Sequence, residues 1–279
     1  MMSPATIDRK NAAFWNELCG TGLARSLGIT EITPESLRRF DDAYMAYYPY
    51  LGPYVLREAL AGKRVLEIGL GYGTLGQLLA SRGCRYYGLD IAMNPVDMMC
   101  YRFSLLEGGR DHQAHVGSAL EIPYKDGTFD YVYSIGCLHH TGDLSAAISE
   151  VYRVLAEGGK AVIMLYHRDS FRRLVQLPAL RFRNLLRRLD GKLREPSDWT
   201  TWVRAFYDKN AKGDAAPHTD YVSRSEVRTL FRRFRDVQID SRNCDPIVLP
   251  GGRIIASREQ LLDNLARIAG LDLYITACK

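Results

Sequence analysis

The sequence lacks the features of a secreted or membrane-spanning protein. Its six cysteines are scattered, with no CxxC pair and no cluster that would predict a disulfide framework. No apolar run is long enough to span a bilayer, and residues 1–10 are polar and lack the apolar centre of a signal peptide. The net charge of +5 is small for 279 residues and does not by itself indicate a polyanionic partner. We therefore expect a cytoplasmic protein with reduced cysteines.

The apolar residues that are present suffice for a full core, because 47% of the 279 residues are hydrophobic. From residue 63 onward, short apolar runs alternate with stretches of helical periodicity, which is typical of a parallel sheet with crossover helices. The pattern predicts seven strands, at residues 64–68, 85–90, 112–116, 129–134, 160–166, 237–240 and 271–276. The predicted fold class is therefore α/β, with a doubly wound, mostly parallel seven-stranded sheet.

Glycines and capping residues predict where helices of this pattern begin and end. An apolar stripe at helical spacing over residues 148–155 is predicted to end at the glycine pair 158–159. Ser257 and Gln260 form a capping box, which predicts a helix that runs from there through Ile268.

Two segments lie outside the alternation of strands and helices. Residues 1–58 are rich in helix formers and predict a helical cap, which leaves residues 59–279 as the core domain. An insertion at about residues 168–220 follows the fifth strand, and its helical pattern is interrupted at Pro178. Both segments can reach the carboxyl edge of the sheet, where ligands bind in open α/β folds.

Three glycines follow the first predicted strand directly and precede a helix. Gly69, Gly71 and Gly73 fit a turn in which the backbone must bend sharply and approach a ligand closely. The second strand ends in Asp90, whose carboxylate can accept hydrogen bonds from both hydroxyls of a ribose. The loop and the acid therefore predict a nucleotide site at the carboxyl ends of neighbouring strands.

This arrangement resembles the class I methyltransferases, in which an acid followed by G-x-G-x-G holds S-adenosylmethionine. The resemblance covers residues 63–166 in order and spacing, including a second strand at 86–90, an adenine-side loop at 117–124 and the triplet Leu138-His139-His140. It implies a Rossmann-like fold, S-adenosylmethionine as cofactor and S-adenosylhomocysteine as product. The implied cofactor residues are Glu67, Gly69, Gly71, Gly73, Thr74, Leu75, Asp90, Ile91, Ser118, Ala119, Ser134, Ile135 and Gly136.

Ser118 departs from the family pattern, because many relatives have an aspartate there that contacts the adenine amino group. A serine hydroxyl can also accept that hydrogen bond. Adenine placement is therefore the part of the implied site that the sequence defines least.

A nicotinamide-dependent oxidoreductase is the rival interpretation of the same glycines. Residues 71–76 also spell G-x-G-x-x-G, the fingerprint of dinucleotide-binding folds. In that fingerprint the first glycine follows the strand directly, which would leave Gly69 and Glu67 without a role. A carboxylate two residues before Gly69 fits better beside the ammonium and sulfonium charges of S-adenosylmethionine, which favours the methyltransferase.

The acceptor side is less defined. His139 or His140 could act as a general base, although a structural role is the stronger interpretation, because in-line positioning can supply most of the rate of methyl transfer. An aromatic cluster in the cap and residues near the insertion predict an acceptor pocket that consists of Tyr44, Tyr47, Tyr48, Tyr166, His167, Tyr207 and His218. We expect no metal, since His112 and His115 have no third ligand nearby.

The expected activity is methyl transfer to a small molecule, with the acceptor atom, oxygen, nitrogen, sulfur or carbon, left open. The arginines of the insertion favour a second class, a methyltransferase acting on RNA or another polyanion, although a charge run is more often a solvated helix face. A protein that only binds S-adenosylmethionine is a third class. We expect neither a nucleic-acid nor a membrane partner, and the oligomeric state is left open.

Overall fold

The computed structural model describes residues 3–18, 21–189, 198–249 and 252–279. Its main feature is a seven-stranded sheet in the order β3-β2-β1-β4-β5-β9-β6. These strands are β1 (Arg64–Ile68), β2 (Arg85–Asp90), β3 (Gln113–Val116), β4 (Phe129–Ile135), β5 (Leu155–Tyr166), β6 (Arg235–Arg242) and β9 (Asp272–Cys278). The first five strands pair in parallel, and β9 is antiparallel to both β5 and β6. The predicted mostly parallel, seven-stranded α/β sheet is confirmed.

A short hairpin lies outside this sheet and was not predicted. It pairs β7 (Ile247–Val248) with β8 (Ile254–Ala256). Its strands of two and three residues are too short for the alternation of polar and apolar residues to be recognised in the sequence.

Helices cover both faces of the sheet. They are α5 (Thr74–Ala80), α6 (Met93–Ser104), α7 (Leu144–Val154), α10 (Arg224–Leu230), α11 (Arg258–Leu262) and α12 (Leu265–Ala269). Successive residues of a strand point to opposite faces, so Val65 packs in the core beside α5 and α6 while Leu66 packs in the core beside α7 and α10. Buried residues on both faces fix the register of the parallel strands.

The glycine pair 158–159 does not end a helix, so that prediction was wrong. Helix α7 ends at Val154, and β5 begins at the next residue. The pairing of β4 with β5 shifts from Phe129 opposite Leu155 to Tyr131 opposite Lys160, and the glycines lie inside this irregularity. A Cβ on Gly159 would come within 2.8 Å of the Ala156 carbonyl oxygen, so glycine is needed for the tight backbone path of the strand.

The capping box of Ser257 and Gln260 is confirmed, but the helix that it starts is shorter than predicted. Two short helices, α11 and α12, replace the single helix through Ile268. The side chain of Ile268 is 75% exposed, so it gives the longer helix no apolar face to bury.

Helices form both segments outside the alternation. The cap contains α1 (Pro4–Trp15), α2 (Thr21–Ser26), α3 (Pro34–Tyr47) and α4 (Gly52–Val55). The insertion contains a π-helical turn (Arg172–Gln176), α8 (Leu177–Leu189) and α9 (Trp199–Tyr207). Pro178 does not interrupt the insertion's first helix, because it lies in the first turn of α8 and the π-helical turn runs directly into it. The domain boundary at residue 58 stays a prediction.

Candidate functional site

A cavity opens at the carboxyl ends of β1, β2 and β4, where ligands bind in open α/β sheets. It is partly open to solvent. Its floor is the glycine loop that joins β1 to α5, and cap helices α1 and α3 form part of its wall. Twelve of the thirteen residues predicted for the cofactor line it: Glu67, Gly69, Gly71, Gly73, Thr74, Leu75, Asp90, Ile91, Ser118, Ala119, Ile135 and Gly136.

Ser134 is the predicted cofactor residue that does not line the cavity. It is fully buried in β4, and its hydroxyl donates a hydrogen bond of 3.0 Å to the carbonyl oxygen of Ile68. This hydrogen bond links β4 to the last residue of β1, directly before the glycine loop.

The glycine loop has the backbone conformation that its sequence predicts. Gly69, Gly71 and Gly73 have φ angles of 85°, 52° and 77°, in the left-handed region that disfavours residues with a Cβ. A Cβ on Gly69 would lie 2.4 Å from that of Cys137 in the loop after β4. The loop therefore fits closely between two strand ends and presents its backbone to the cavity.

An arginine on α6 links the glycine loop to the cap through hydrogen bonds. Arg102 is fully buried, and its Nε donates to the carbonyl oxygen of Tyr72 at 2.8 Å. Its two terminal nitrogens donate to the carboxylate of Asp41 on α3, at 2.8 and 2.9 Å. The same carboxylate accepts a hydrogen bond of 2.6 Å from the hydroxyl of Thr74, the first residue of α5. Asp41 and Arg102 therefore join the cap, α6 and the glycine loop.

Asp90 is held in place by backbone amides. Its Oδ2 accepts a hydrogen bond of 2.8 Å from the amide of Leu70, and its Oδ1 accepts one of 2.9 Å from the amide of Ala92. Burial raises the pKa of its carboxyl, and these amides act against that shift. The amides of Gly71 and Ile91 act in the same direction, so backbone amides hold this carboxylate at the edge of the cavity.

Glu67 is a buried carboxyl in β1, two residues before the glycine loop. It is 2% exposed, and its Oε2 accepts a hydrogen bond from the hydroxyl of Tyr86. Burial raises its pKa to about 8, although Tyr86 and the charge of Arg102 act in the other direction. A buried carboxyl that lines a cavity and has a raised pKa fits a cationic group of a ligand, which would compensate its charge.

The two histidines of the Leu138-His139-His140 triplet lie in different environments. His140 lines the cavity, whereas His139 is fully buried and packs its ring 4.0 Å from that of Tyr166. Burial lowers the pKa of both imidazoles. The geometry therefore favours His140 over His139 for contact with a ligand.

Hydrogen bonding determines which nitrogen of His140 carries the proton. Nδ1 lies 2.7 Å from the carbonyl oxygen of His218, which can only accept, so the neutral imidazole carries its proton on Nδ1. Nε2 is buried, has no hydrogen-bond partner among the described residues and lies 3.6 Å from Oδ2 of Asp208. The phenol of Tyr166 donates to the same carboxylate at 3.0 Å. Nε2 can therefore accept a proton beside a carboxylate.

Only part of the predicted acceptor pocket lines the cavity. Tyr44 is in its wall. Tyr47 and Tyr48 instead pack near Arg258, whose guanidinium lies 4.0 Å from the ring centre of Tyr47. His167 is buried, and its Nδ1 lies 2.9 Å from the carbonyl oxygen of Gly270.

The other three predicted pocket residues lie in a layer behind His140. Tyr166 bonds Asp208, Tyr207 packs its ring 4.7 Å from that of Tyr166, and His218 supplies the carbonyl oxygen that His140 contacts. The acceptor roles of all seven residues stay predictions.

Residues from helix α1 also line the cavity, and the sequence did not indicate them. Asp8, Asn11 and Trp15 face it from three successive turns of the helix. The amide of Asn11 donates to the carbonyl oxygen of His140 at 2.7 Å, and the ring of Trp15 lies 4.8 Å from the imidazole. This contact spans 129 residues of sequence, so no local pattern could have predicted it.

Two further observations concern metals and membranes. Within residues 3–18, 21–189, 198–249 and 252–279, no three histidine, cysteine, aspartate or glutamate side chains form a group that could hold a metal ion. In the same part of the chain, no helix has the length and apolar character needed to cross a bilayer.

Comparison with known families and proteins identifies the central part of the chain. A family model described as a methyltransferase domain matches residues 66–163. Phosphoethanolamine N-methyltransferase 2 of Caenorhabditis elegans is 26% identical over 188 residues, covering 65% of this chain and 37% of that protein. A ubiquinone biosynthesis O-methyltransferase of Pseudomonas entomophila is 32% identical over 117 residues, covering 40% of this chain and 48% of that protein. The chain thus spans less than half of the length of these relatives.

The fold also has counterparts among solved structures. A chain in the complex of the Haloferax volcanii Trm112 methyltransferase activator with a methyltransferase superposes with a TM-score of 0.58 and 17% identity, covering 88% of this chain and 94% of that one. The sheet order and glycine loop are those of a Rossmann-like nucleotide-binding fold. Together with the family match, they show that residues 66–163 lie in a methyltransferase domain with this fold.

Proposed function

We propose that the protein transfers the methyl group of S-adenosylmethionine to a small-molecule acceptor. The observation that carries this proposal is the combination, in one cavity, of a glycine loop with two carboxyls of different surroundings, Glu67 and Asp90. Glu67 fits the cationic amino-acid end of the cofactor, and Asp90 fits the ribose hydroxyls. When bound, the cofactor supplies an electrophilic methyl group, and the protein orients it and excludes water.

Binding of S-adenosylhomocysteine tests the cofactor assignment. We expect calorimetry to show binding of this ligand and no binding of NAD, and Gly71→Val to remove the binding, because a branched side chain at a φ of 52° would block the ligand's approach. Gly108→Val is the control, since Gly108 also has a positive φ, of 74°, and nothing lies within 4 Å of its added Cβ. Equal affinity in the wild type and both variants would place the cofactor elsewhere.

Proton release on binding tests the role of Glu67. The free carboxyl has a pKa of about 8, and a cation bound beside it lowers that pKa, so the free protein holds more protons than the complex below pH 8. Binding of S-adenosylhomocysteine should therefore release up to one proton near pH 7, and affinity should rise as the pH increases from 6 to 8. Calorimetry in buffers of different ionisation enthalpy measures the release. Glu67→Gln, a neutral side chain of similar shape, should abolish it, and proton release that persists in this variant would contradict the assignment.

The wall beside His140 is the proposed acceptor side of the cavity. Trp15 and Tyr44 of the cap line the cavity, as do Ile135, the last residue of β4, and Cys137 in the loop that follows. Such a largely apolar enclosure suits a small molecule. We propose Nε2 of His140 as the group that takes a proton from the acceptor's hydroxyl or amine, with Nδ1–H held by the carbonyl oxygen of His218.

The arginines of the insertion give the RNA alternative less support than their number suggests. Arg172 donates two hydrogen bonds to Asp245, and Arg168 pairs with Glu226 at 2.7 Å. The guanidinium groups of Arg173 and Arg181 lie over aromatic rings at 3.9 and 4.6 Å. The buried Nε of Arg183 has no hydrogen-bond partner among the described residues, and the side chains of Arg187 and Arg188 are not part of the description of α8. Arginines with partners within the chain would have to break those contacts to bind phosphates, which favours the small-molecule acceptor.

A further inference from the structure

Helix α1 spans the cavity from the loop after β4, where Asn11 and Trp15 contact His140, to the loop after β3, where Asp8 lies. Asp8, on the second turn of this helix, is half-buried and lines the cavity. The hydroxyl of Ser118, in the loop after β3, donates a hydrogen bond of 2.7 Å to Oδ2 of Asp8. A carboxylate from the cap therefore lies beside the loop that follows β3.

The position of the adenine follows from the order of the strands, if the proposed cofactor occupies this cavity. Strands β1, β2 and β3 are successive neighbours, so the glycine loop, Asp90 and Ser118 lie in that order along the edge of the sheet. With the amino-acid end at the glycine loop and the ribose at Asp90, the base extends toward Ser118. The wall there contains Ile91, Pro95 and Ala119, which is the kind of apolar slot that takes a flat ring.

The hydroxyl of Ser118 already takes part in two hydrogen bonds within the protein, so it is poorly suited to recognise the base. Its oxygen accepts from the amide of Leu120 at 3.1 Å, and its proton is directed to Oδ2 of Asp8. Oδ1 of Asp8 makes no hydrogen bond within the described part of the chain. An ionised carboxylate only accepts hydrogen bonds, so Oδ1 matches an amino group on the ring and opposes a carbonyl oxygen.

We propose that Asp8 is a specificity-determining residue that accepts a hydrogen bond from the exocyclic amino group of adenine, and that Ser118 positions its carboxylate. This inference rests on the proposed function, because it requires S-adenosylmethionine in the cavity. It makes α1 part of the cofactor site, so the cap contributes to cofactor affinity as well as covering the acceptor.

The test compares S-adenosylhomocysteine with S-inosylhomocysteine, in which a ring carbonyl replaces the amino group. We expect the wild type to bind the adenosyl compound at least about tenfold more tightly, because the carboxylate would face an oxygen in the inosyl compound. Asp8→Ala should weaken adenosyl binding about tenfold, leave inosyl binding unchanged or stronger, and bring the ratio close to one. Asp8→Asn, which can donate to the inosyl oxygen, should also reduce the ratio.

Asp42→Asn is the matched control, since it removes a carboxylate from an exposed position of the cap. It should change neither the affinities nor their ratio. If Asp8→Ala weakens both ligands equally, Asp8 only holds α1 in place and the inference fails, and a wild type that does not discriminate also overturns it. A wild type that binds neither ligand refutes the proposed function itself, whereas the other outcomes concern Asp8 alone.

Discussion

Replacing Asp41 by asparagine should lower the free energy of unfolding by about 3 kcal/mol or more, because it leaves the guanidinium of Arg102 buried without its counter-ion. Arg102 is fully buried, and Asp41 is its acidic partner in the cap. The variant should also bind S-adenosylhomocysteine more weakly, since Arg102 supports the carbonyl of Tyr72 inside the glycine loop. Urea denaturation and calorimetry measure the two effects.

A second variant separates the charge from the packing. In the double variant Asp41→Leu with Arg102→Met, no charge is left unpaired, so we expect it to be more stable than Asp41→Asn. Asp42→Asn again serves as the control, and surface changes of this kind usually alter stability by less than about 0.5 kcal/mol. A double variant that is no more stable than Asp41→Asn would show that the pair does not depend on charge compensation.

The features that the sequence predicted are encoded locally. The glycine loop and Asp90 lie within one strand–helix–strand unit, where adjacent residues determine the turn and the strand end. Strand bounds were recovered for the same reason: β1 and β2 begin and end at the predicted residues.

The features that the sequence did not predict depend on contacts between distant segments. Asp8 meets Ser118 across 110 residues, and Arg102 meets Asp41 across 61. Asp208, the residue directly after α9, lies 3.6 Å from Nε2 of His140. Each is an ordinary polar residue on its own helix or loop, and only the packing of the cap and insertion on the sheet edge brings it to the site.

The effect of two glycines and one proline on the backbone was predicted wrongly, because it depends on tertiary structure. Glycines usually end helices because they tolerate positive φ, yet the pair 158–159 allows an irregular strand to pass close to its neighbour. Pro178 usually marks a helix break, yet here the helical backbone continues from the π-helical turn into α8, with Pro178 next to their junction. In both cases the residue has the backbone preference expected of its type, but it lies at a different place in the helix or strand than the sequence pattern predicted.

Replacing His140 by asparagine should reduce kcat about 100-fold or more with an acceptor that releases a proton, while S-adenosylhomocysteine affinity changes little. The reason is that Nε2 is the unpartnered nitrogen of a neutral imidazole that lines the cavity. Asp208, 3.6 Å away, would stabilise the positive charge that the ring gains with the proton. An acceptor is first found by screening small amines, phenols and phosphate esters for release of S-adenosylhomocysteine.

The pH dependence gives a second readout of the same role. The neutral imidazole is the active form, and burial lowers the pKa of His140 below its ordinary value of 6.5. At saturating cofactor, where the effect of Glu67 on affinity does not limit the rate, kcat should therefore be retained at pH 6.5 and fall only at lower pH, as the ring gains a proton. His140→Asn should lose this acidic limb, and His115→Asn, a change at an exposed histidine, should keep it. An acidic limb that persists in His140→Asn, with kcat close to that of the wild type, would assign the base to another group or leave the reaction without one.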